Sequence, residues 1–504
     1  MHVRQKGAWL GGYLDAFCPE DGWRVEVQGW VHVPGQDTWA GPARTLRTAA
    51  HYVKRVGLEA TARKILSRKA APLRTHRAIG FGRVMQAPEG ATLDEGALVG
   101  FGAIGSAQGQ SHVVVQAPWV VALSAPPVDL RSGQVCWVED PSIAPLVAGL
   151  HPTESGRPSS CDEASLARAL ARAPWHQGER VEVPPHAPHT ARGALGNGRV
   201  VMMGHGHYAK TCILPHLGAL GVRAVHDLDP LRLPVQPDRA AHRWSTSPML
   251  EDGELRGAQD VAWVAGYHHH HAPLACQALE QGSWAVIEKP AVTTPEALRA
   301  LAQAMDRNPR VLMGFHKRHS ALHEWMVEDL ELGPETPAHY HCIVHEVPLP
   351  SEHWYRWPAS RSRLISNGCH WLDEFLWLNP THEVEQTHVR QASGVLHVWV
   401  TLTNGATFTM TLSDHGSSRL GVREFVEVRA GARTARVEDA SRIQTEDASR
   451  VLRSARVNPM DAYPRMVGAL SAIIQRDDVA RAEPREHFVR LNTLLLQLDA
   501  SLQG

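Results

Sequence analysis

The sequence has little lysine, no closely paired cysteines and no long apolar run. Lys and Arg together number 51 against 52 Asp and Glu, and only seven of the 504 residues are lysine. This balance gives no reason to expect nucleic acid, a membrane surface or a polyanion as the main partner. The seven scattered cysteines include no Cys-x-x-Cys pair, which argues against a cysteine-built zinc site and fits a reducing compartment. No stretch approaches the ~18 apolar residues of a membrane span, and residues 1–17 lack the apolar centre of a signal peptide, so we expect a cytoplasmic protein.

The length and patterning predict about three domains. Residues 1–183 contain the alternating run 23–33 and further short apolar runs, which predict a small β-rich domain with a helical extension. The basic stretch 44–83 has helical spacing and is either a solvated face or a docking surface for a phosphate-bearing or acidic group. Residues 184–198 are rich in Pro, Gly and His and read as a linker.

Two different patterns of apolar and polar residues follow the linker. In residues 199–318, short apolar strands alternate with helices, which predicts a parallel sheet wrapped by helices. In 319–504, strand-like runs flank Asn404-Gly405, a dipeptide that tolerates positive φ at both turn positions and so favours a tight hairpin. The runs alternate in polarity, as in an antiparallel sheet with one wet side, and the chain ends in helices near 461–475 and 486–501.

A dinucleotide-binding turn is predicted after the strand 199–203. The run Gly204-His205-Gly206-His207-Tyr208-Ala209 has the G-x-G-x-x-A pattern and leads into a helix-like segment that reaches about Leu220. The first Gly permits the tight turn, the second permits close approach of the pyrophosphate, and Ala209 permits close helix packing. Asp227 ends the next strand, where a carboxylate accepts ribose hydroxyls and disfavours a 2′-phosphate. We therefore expect NAD as cofactor, with NADP as the alternative.

Two groups of histidines could suggest a metal site. His268 to His271 are consecutive at a strand-to-helix turn and point in different directions, so they fit a wall of the cofactor cleft or incidental composition better than a metal tract. His339, His341 and His345 share one strand face, where a solvated or interface role competes with metal ligation. We predict no metal.

Lys289 is the candidate for proton handling. It follows the apolar strand 284–287 in the tripeptide Glu288-Lys289-Pro290, at the carboxyl end of a parallel strand, where such sheets bind ligands. Partial burial near a cationic nicotinamide would lower its pKa towards the working range.

The order of these motifs resembles the Gfo/Idh/MocA family of NAD(P)-dependent oxidoreductases over about residues 197–504. The matching pieces are the G-x-G-x-x-A turn, APLACQALEQG, VIEKP, GFHKR and NGCHWLDE. The resemblance implies an α/β Rossmann domain followed by an α+β domain with an open antiparallel sheet. It also implies oxidation or reduction of a secondary alcohol or ketone on a sugar, cyclitol or related small molecule.

The resemblance also assigns roles to single residues. Lys289 and His370 would be the catalytic pair. The family pattern has Asp or Asn four residues before the His, where this chain has Ser366; Asn367 is rotated from that position by about 100° on a regular helix. The cofactor-binding candidates are Gly204, His205, Gly206, His207, Tyr208, Ala209, Asp227, Tyr267, His268, His271 and Glu288. The substrate-binding candidates are Lys289, Trp354, Tyr355, Arg356, Arg363, Ser366 and Asn367. Arg361 and Arg363 replace an expected Gly-rich lead-in and favour an anionic substrate.

The N-terminal part is similar to the GroES-like domain of medium-chain alcohol dehydrogenases. The similar segments are 76–90, 96–102 and 111–123, and the zinc motifs of that domain are missing. This predicts a reduced, metal-free domain that serves packing or substrate recognition.

Three functions remain open at this point. The first is the sugar or cyclitol dehydrogenase just described, the second is an imine reductase of secondary-metabolite biosynthesis, and the third is a non-catalytic cofactor-binding scaffold or sensor. The resemblance further implies a homo-oligomer, dimer or tetramer, built on the open sheet.

Overall fold

A computed structural model describes three sheets of this chain. The described residues are 22–33, 77–87, 91–103, 112–116, 120–130, 134–139, 168, 170–173, 175–179, 191–227, 242–349, 355, 358–416 and 421–502.

The N-terminal sheet has seven strands in the order β5-β3-β2-β1-β6-β7, with β4 also paired to β1. Its strands are β1 (Gly22–Val33), β2 (Arg77–Gln86), β3 (Leu98–Ala103), β4 (His112–Gln116), β5 (Val120–Ala122), β6 (Gln134–Glu139) and β7 (His176–Glu179). Most pairs are antiparallel, whereas β1 and β6 run parallel. Trp23, Val25, Val27, Val84, Val99 and Phe101 form a small apolar core on it. The predicted β-rich character of this region is therefore present.

The second sheet is the predicted parallel one. Its strands are β8 (Ala191–Arg192), β9 (Val200–Met203), β10 (Val222–His226), β11 (Arg243–Ser245), β12 (Val261–Val264), β13 (Trp284–Ile287) and β14 (Val311–Met313), in the order β14-β13-β12-β9-β10-β11-β8. All neighbours are parallel except β8, which pairs antiparallel with β11. The segment predicted as a linker thus contributes an edge strand, because Ala191 and Arg192 pair with Ser245 and Trp244.

Helices cover both faces of this sheet. One face packs against α1 (His271–Glu280) and α2 (Pro295–Arg307). Thr294 caps α2 by accepting a hydrogen bond from the Ala297 N–H at 3.1 Å, and Pro295 occupies its first turn, as the sequence predicts. The other face packs against a helix from the far end of the chain, α5 (Ala462–Arg476), through Met466, Val467, Leu470 and Ile474.

The segment after the glycine turn is not the regular helix that the sequence predicts. It is a π-helical turn over Ala209–Ile213 followed by short 3-10 turns at Leu214–His216 and Gly218–Leu220. Pro215 has no N–H to continue an α-helical ladder, and Gly218 adopts a positive φ of 55°.

The third sheet has eight strands in the order β16-β17-β18-β15-β19-β20-β21-β22. Its strands are β15 (His339–His345), β16 (Val384–Ala392), β17 (Val395–Leu402), β18 (Thr407–Ser413), β19 (Arg423–Ala430), β20 (Arg433–Glu438), β21 (Arg442–Glu446) and β22 (Val451–Arg456). Only the β15–β18 pair is parallel. At the predicted hairpin, Gly405 alone of the Asn-Gly pair has positive φ, and its N–H donates to the Leu402 carbonyl at 2.8 Å.

One face of this sheet is buried and the other is open. The remaining helices α3 (Ala321–Asp329), α4 (Cys369–Leu378) and α6 (Arg485–Ser501) share one apolar core with the sheet and with α1 and α2. On the opposite face Ile343 and Phe425 are 47% and 44% exposed. The described helices include none that is both long and apolar enough to cross a membrane.

Candidate active site

The glycine turn has room for a pyrophosphate. Gly204 adopts a φ of 110°, and a Cβ there would lie 2.6 Å from the Ala265 carbonyl oxygen, so the position requires glycine. A Cβ on Gly206 would meet nothing within 4 Å, which leaves an open space beside the turn. The His205 N–H donates to Asp227 Oδ2 at 2.9 Å and fixes the carboxylate against the turn. These residues fit a dinucleotide held by backbone amides.

The other residues of the turn differ in burial, since His207 is exposed and Ala209 is buried. The His205 ring lies 4.8 Å from the Trp244 ring, the His207 carbonyl accepts a hydrogen bond from Thr211 Oγ1 at 2.8 Å, and Ala209 is buried.

Tyr208 and Glu288 form a buried pair between the turn and β13. The two side chains are hydrogen-bonded, and burial raises the pKa of Tyr208 well above its ordinary value. Burial also raises the pKa of Glu288 to about 7, against the opposing attraction of Lys289. A Cβ on Gly314 would lie 2.6 Å from the Glu288 carboxylate, so this glycine makes room for it.

The histidine loop lies at the carboxyl end of β12. The Tyr267 ring stacks on His269, and the His268 ring lies 4.8 Å from that of Tyr355. His271 Nδ1 is 2.7 Å from the Pro290 carbonyl, and its Nε2 is 3.3 Å from the Gly266 carbonyl. Burial lowers the pKa of His268 and brings the pKa of His269 and of His271 to about 4, so these imidazoles are neutral at pH 7. Within the described ranges no group of three His, Cys, Asp or Glu is arranged to hold a metal.

Lys289 contacts the turn Leu364–Gly368, which precedes α4. Its Nζ donates to the Ser366 carbonyl oxygen and to Asn367 Oδ1, both at 2.9 Å, and lies 5.9 Å from the centre of the Tyr355 ring. Burial by itself lowers its pKa, but attraction from the surrounding acidic groups, including Glu346, outweighs burial, so the pKa is raised. The sequence predicts the opposite direction, because it does not reveal these acids. Lys289 therefore stays protonated and acts as a hydrogen-bond donor.

The position of Asn367 also differs from the prediction. Residues Leu364–Gly368 form a π-helical turn before α4, and this wider turn brings the Asn367 side chain, rather than that of Ser366, to Lys289. Ser366 Oγ lies 3.5 Å from the Arg363 carbonyl, so Ser366 takes part in the site through its own carbonyl group.

His370 lies one turn further along, in α4. Its ring centre is 4.9 Å from that of His316 and 5.9 Å from that of Phe315. Burial, and then the positive charge of Lys289, lower the pKa of His370 well below its ordinary value. The ring is therefore neutral at pH 7.

Arg363 and Arg361 both contact protein groups in the structure. Arg363 Nη2 is 2.7 Å from Asp414 Oδ2, and its Nε is 3.3 Å from Glu346 Oε2. Arg361 Nε donates to the Thr293 carbonyl at 2.8 Å. The substrate-binding candidates Trp354 and Arg356 lie outside the described residues.

Three residues of this site are missed by the sequence reasoning. Glu346 follows β15 at the buried parity of Tyr340, Cys342 and Val344, so a carboxylate on an apolar face was the available signal. His316 and Tyr463 stack at 4.7 Å beside His370, and nothing in the sequence brings together residues that lie so far apart.

Comparison with known proteins indicates a dinucleotide-dependent oxidoreductase. Residues 199–316 match the Gfo/Idh/MocA model, described as an oxidoreductase family with an NAD-binding Rossmann fold. No curated protein matches the chain.

Solved structures share the fold at low identity. A dehydrogenase from Chromobacterium violaceum is 16% identical, with 62% of this chain and 96% of that chain covered and a TM-score of 0.51. A UDP-N-acetylglucosamine 3-dehydrogenase from Acidithiobacillus ferrooxidans is 17% identical, with 62% and 98% covered and a TM-score of 0.48.

Residues 199–316 are therefore a Gfo/Idh/MocA NAD-binding domain. The protein is an enzyme that uses NAD or NADP.

Proposed function

We propose that the enzyme interconverts a secondary alcohol and a ketone on a sugar, cyclitol or related small molecule, with Lys289 and His370 handling the proton. The observation that carries the proposal is the arrangement of Lys289. Two of its N–H groups donate to fixed acceptors, Ser366 O and Asn367 Oδ1, and an ammonium has three. The third serves the reacting oxygen of the substrate.

The two side chains have complementary roles. In the direction of oxidation, neutral His370 accepts the hydroxyl proton, while the Lys289 ammonium donates a hydrogen bond to the oxygen and stabilises its developing negative charge. In reduction the proton returns from His370 to the oxygen. When bound, the nicotinamide supplies or takes the hydride at the substrate carbon.

The charge of the cleft supports an uncharged group near the reacting carbon. Arg363 is ion-paired with both Glu346 and Asp414, and the neighbouring imidazoles are neutral at pH 7. Tyr355 offers a ring face for a sugar ring.

For the cofactor we propose a preference for NAD over NADP. The Asp227 carboxylate is held at the end of β10 by the His205 N–H, and a negative charge at this edge disfavours a 2′-phosphate. Titration with NADH and NADPH, followed by cofactor fluorescence, is expected to give the lower Kd for NADH.

The remaining assignments are also proposals. We propose that the N-terminal sheet is a reduced, metal-free GroES-like domain, supported by its mostly antiparallel strands. We propose a homo-oligomer built on the open face of the third sheet, where Ile343 and Phe425 are exposed. Light scattering of the protein, and of a Phe425→Glu variant, would detect loss of assembly. A cytoplasmic site of action is supported by the free thiols of the described cysteines.

The central test is the Lys289→Met variant. Polyols, sugar nucleotides and imines are screened with NAD and NADP in both directions, and the variant is compared on the best substrate. We expect kcat to fall by about 10²–10⁴-fold while the Kd for NADH stays unchanged, because the side chain handles the proton rather than the dinucleotide. Full activity in the variant would reject the role of Lys289 in proton handling. If only imines were turned over, the substrate would be a C=N compound instead of an alcohol or ketone.

A further inference from the structure

Glu346 is a buried carboxylate beside Lys289 that the proposed mechanism does not use. It directly follows β15 and is 6% exposed. Its N–H donates to the Ser413 carbonyl at 2.7 Å, and its carbonyl accepts from the Gly416 N–H at 3.0 Å. A Cβ on Gly416 would lie 2.3 Å from that carbonyl oxygen, so the chain passes closely against Glu346. Its backbone is therefore held in place on both sides.

Asn367 connects Glu346 to Lys289. The amide oxygen Oδ1 accepts from Lys289 Nζ at 2.9 Å, and the Asn367 side chain is also hydrogen-bonded to the Glu346 carboxylate. An ammonium only donates and a carboxylate only accepts, so the amide must present its oxygen to the lysine and its N–H to the glutamate. The orientation of Asn367 is thus fixed by the two charges on either side of it.

The buried ammonium needs a negative charge that its direct partners do not provide. Ser366 O and Asn367 Oδ1 are neutral acceptors, and a buried charge without a counter-charge is costly. Glu288 shares its carboxylate with Tyr208 and has a pKa of about 7, so it is only partly ionised at neutral pH. Burial raises the pKa of Glu346, and its ion pair with Arg363 opposes that shift. Arg363 is also ion-paired with Asp414. Two carboxylates around one guanidinium leave one negative charge for Lys289.

We propose that Glu346 is the positioning residue for Lys289. Acting through Asn367, it supplies the negative charge that keeps the lysine protonated and turned towards the substrate. This inference rests on the proposed function for its catalytic consequence, but its effect on the lysine itself does not require turnover.

Other titratable groups also face Lys289. The groups that can become anionic, besides Glu346, are Glu288, Tyr355 and Cys369. The imidazoles that face it are His268, His271, His316 and His370. Glu346 itself is faced by Lys289, Arg363 and Asp414. Comparison of variants that change only one carboxylate keeps all the other groups constant.

The first experiment measures the lysine directly in the full chain. With only seven lysines, ¹³Cε and ¹⁵Nζ labelling gives few signals, and Lys289→Arg assigns the one of interest. We expect Glu346→Gln to lower the pKa of Lys289 by about one unit. Asp439→Asn is the control, because Asp439 is a carboxylate ion-paired with a different arginine, Arg423, and it should leave this pKa unchanged. Equal titration of Lys289 in both variants and in the wild type would overturn the proposal.

The second experiment exchanges the two side chains. Glu346→Gln should lower kcat roughly tenfold or more and shift the basic limb of the pH–rate profile to lower pH, without changing the Kd for NADH. The double variant Glu346→Gln/Asn367→Asp returns a carboxylate to the side of Lys289 and should recover most of the lost activity and the original pH limb. A folded double variant no better than Glu346→Gln would contradict the positioning role.

Failure of this inference is distinguishable from failure of the proposed function. If Glu346→Gln does not fold, as judged by its Tm, Asn367→Ala cuts the same connection and should lower the Lys289 pKa in the same way; an unchanged pKa there would also overturn the inference. If no substrate is found, the NMR titration still decides on Glu346. If Lys289→Met keeps full activity while the lysine pKa responds to Glu346, the proposed function falls and the electrostatic link stands.

Discussion

At the scale of single residues, His271 connects the histidine loop to the segment that carries Lys289. Its ring is buried and neutral at pH 7, so it has one N–H for two nearby carbonyls. The shorter contact, 2.7 Å from Nδ1 to the Pro290 carbonyl, favours the tautomer that is protonated at Nδ1. The orientation of the residue next to Lys289 thus depends on this hydrogen bond.

We expect His271→Ala to lower the free energy of unfolding by roughly 2–4 kcal/mol, from a buried cavity and a lost hydrogen bond. Activity should fall as well, because the backbone after Lys289 loses its anchor. Urea unfolding measures the first effect. His341→Ala on the open sheet face is the control and should change stability by less than about 0.5 kcal/mol. Equal stability of the two variants would show that the His271 hydrogen bond contributes nothing.

The residues of the site were predictable only where a motif fixes their position. Lys289 and His370 were predicted from the strand end and the motif order, and in the structure the charge of Lys289 lowers the pKa of His370. Asn367 was a predicted site residue, but its side-chain contact with Lys289 was not predicted, because it depends on a π-helical turn that the sequence of residues 364–368 does not indicate. Glu346 required knowing that β15 buries its even-numbered positions, which depends on a sheet assembled from distant segments.

At the scale of elements, the two glycines of the turn have different roles: Gly204 is required by the backbone conformation, and Gly206 leaves space for the cofactor. Gly204 has a positive φ and backbone atoms against it, whereas Gly206 faces open space. We expect Gly206→Ala to leave Tm nearly unchanged while it weakens NADH binding about tenfold or more, because the added methyl group occupies the space predicted for the pyrophosphate.

Gly468→Ala in α5 is the matched control for this prediction. A Cβ at Gly468 also meets nothing within 4 Å, and this helix position is remote from the turn in sequence. We expect it to stabilise the protein by up to about 1 kcal/mol and to leave the Kd for NADH unchanged. Wild-type affinity in Gly206→Ala would mean that the pyrophosphate does not approach this glycine.

Elements with local signals were predicted well, and those without them were not. Thr294 and Pro295 predict the start of α2 from the sequence, and in the structure Thr294 is the N-cap and Pro295 lies in the first turn. The segment after the glycine turn has the family pattern but contains Pro215, whose missing N–H breaks it into short turns. The edge strand β8 has only two residues and pairs with β11 through backbone groups, so no side-chain pattern reveals it.

At the scale of the whole molecule, buried neutral histidines make the fold sensitive to acid. The pKa of His271 is about 4 and that of His316 about 3 in the folded protein, against about 6.5 in the unfolded chain. The unfolded chain therefore binds more protons below pH 6.5, and stability is lost as pH falls from 6.5 towards the folded pKa values. For His271 alone the loss at pH 5 is about 2 kcal/mol.

We expect Tm to be constant from pH 8 to 7 and to fall steadily between pH 6.5 and 4. His316→Gln, which cannot be protonated, should fall less steeply over the same range, and thermal scans of both proteins in matched buffers measure the difference. Parallel curves for the two proteins would mean that the pKa of His316 is the same in the folded and the unfolded chain.

The helix α5, near the end of the chain, packs against the second sheet, which carries the glycine turn. It covers the face of the second sheet that carries Trp263 and Trp284, and its last residues bind back through Asp477, which accepts hydrogen bonds from Arg310 and from Trp284 Nε1. During synthesis, β14 leaves the ribosome about 150 residues ahead of α5, a delay of roughly 8–30 s at typical elongation rates. The face of the sheet that carries the two tryptophans therefore stays uncovered by α5 throughout that interval, and the apolar surface is open to aggregation until translation is almost over.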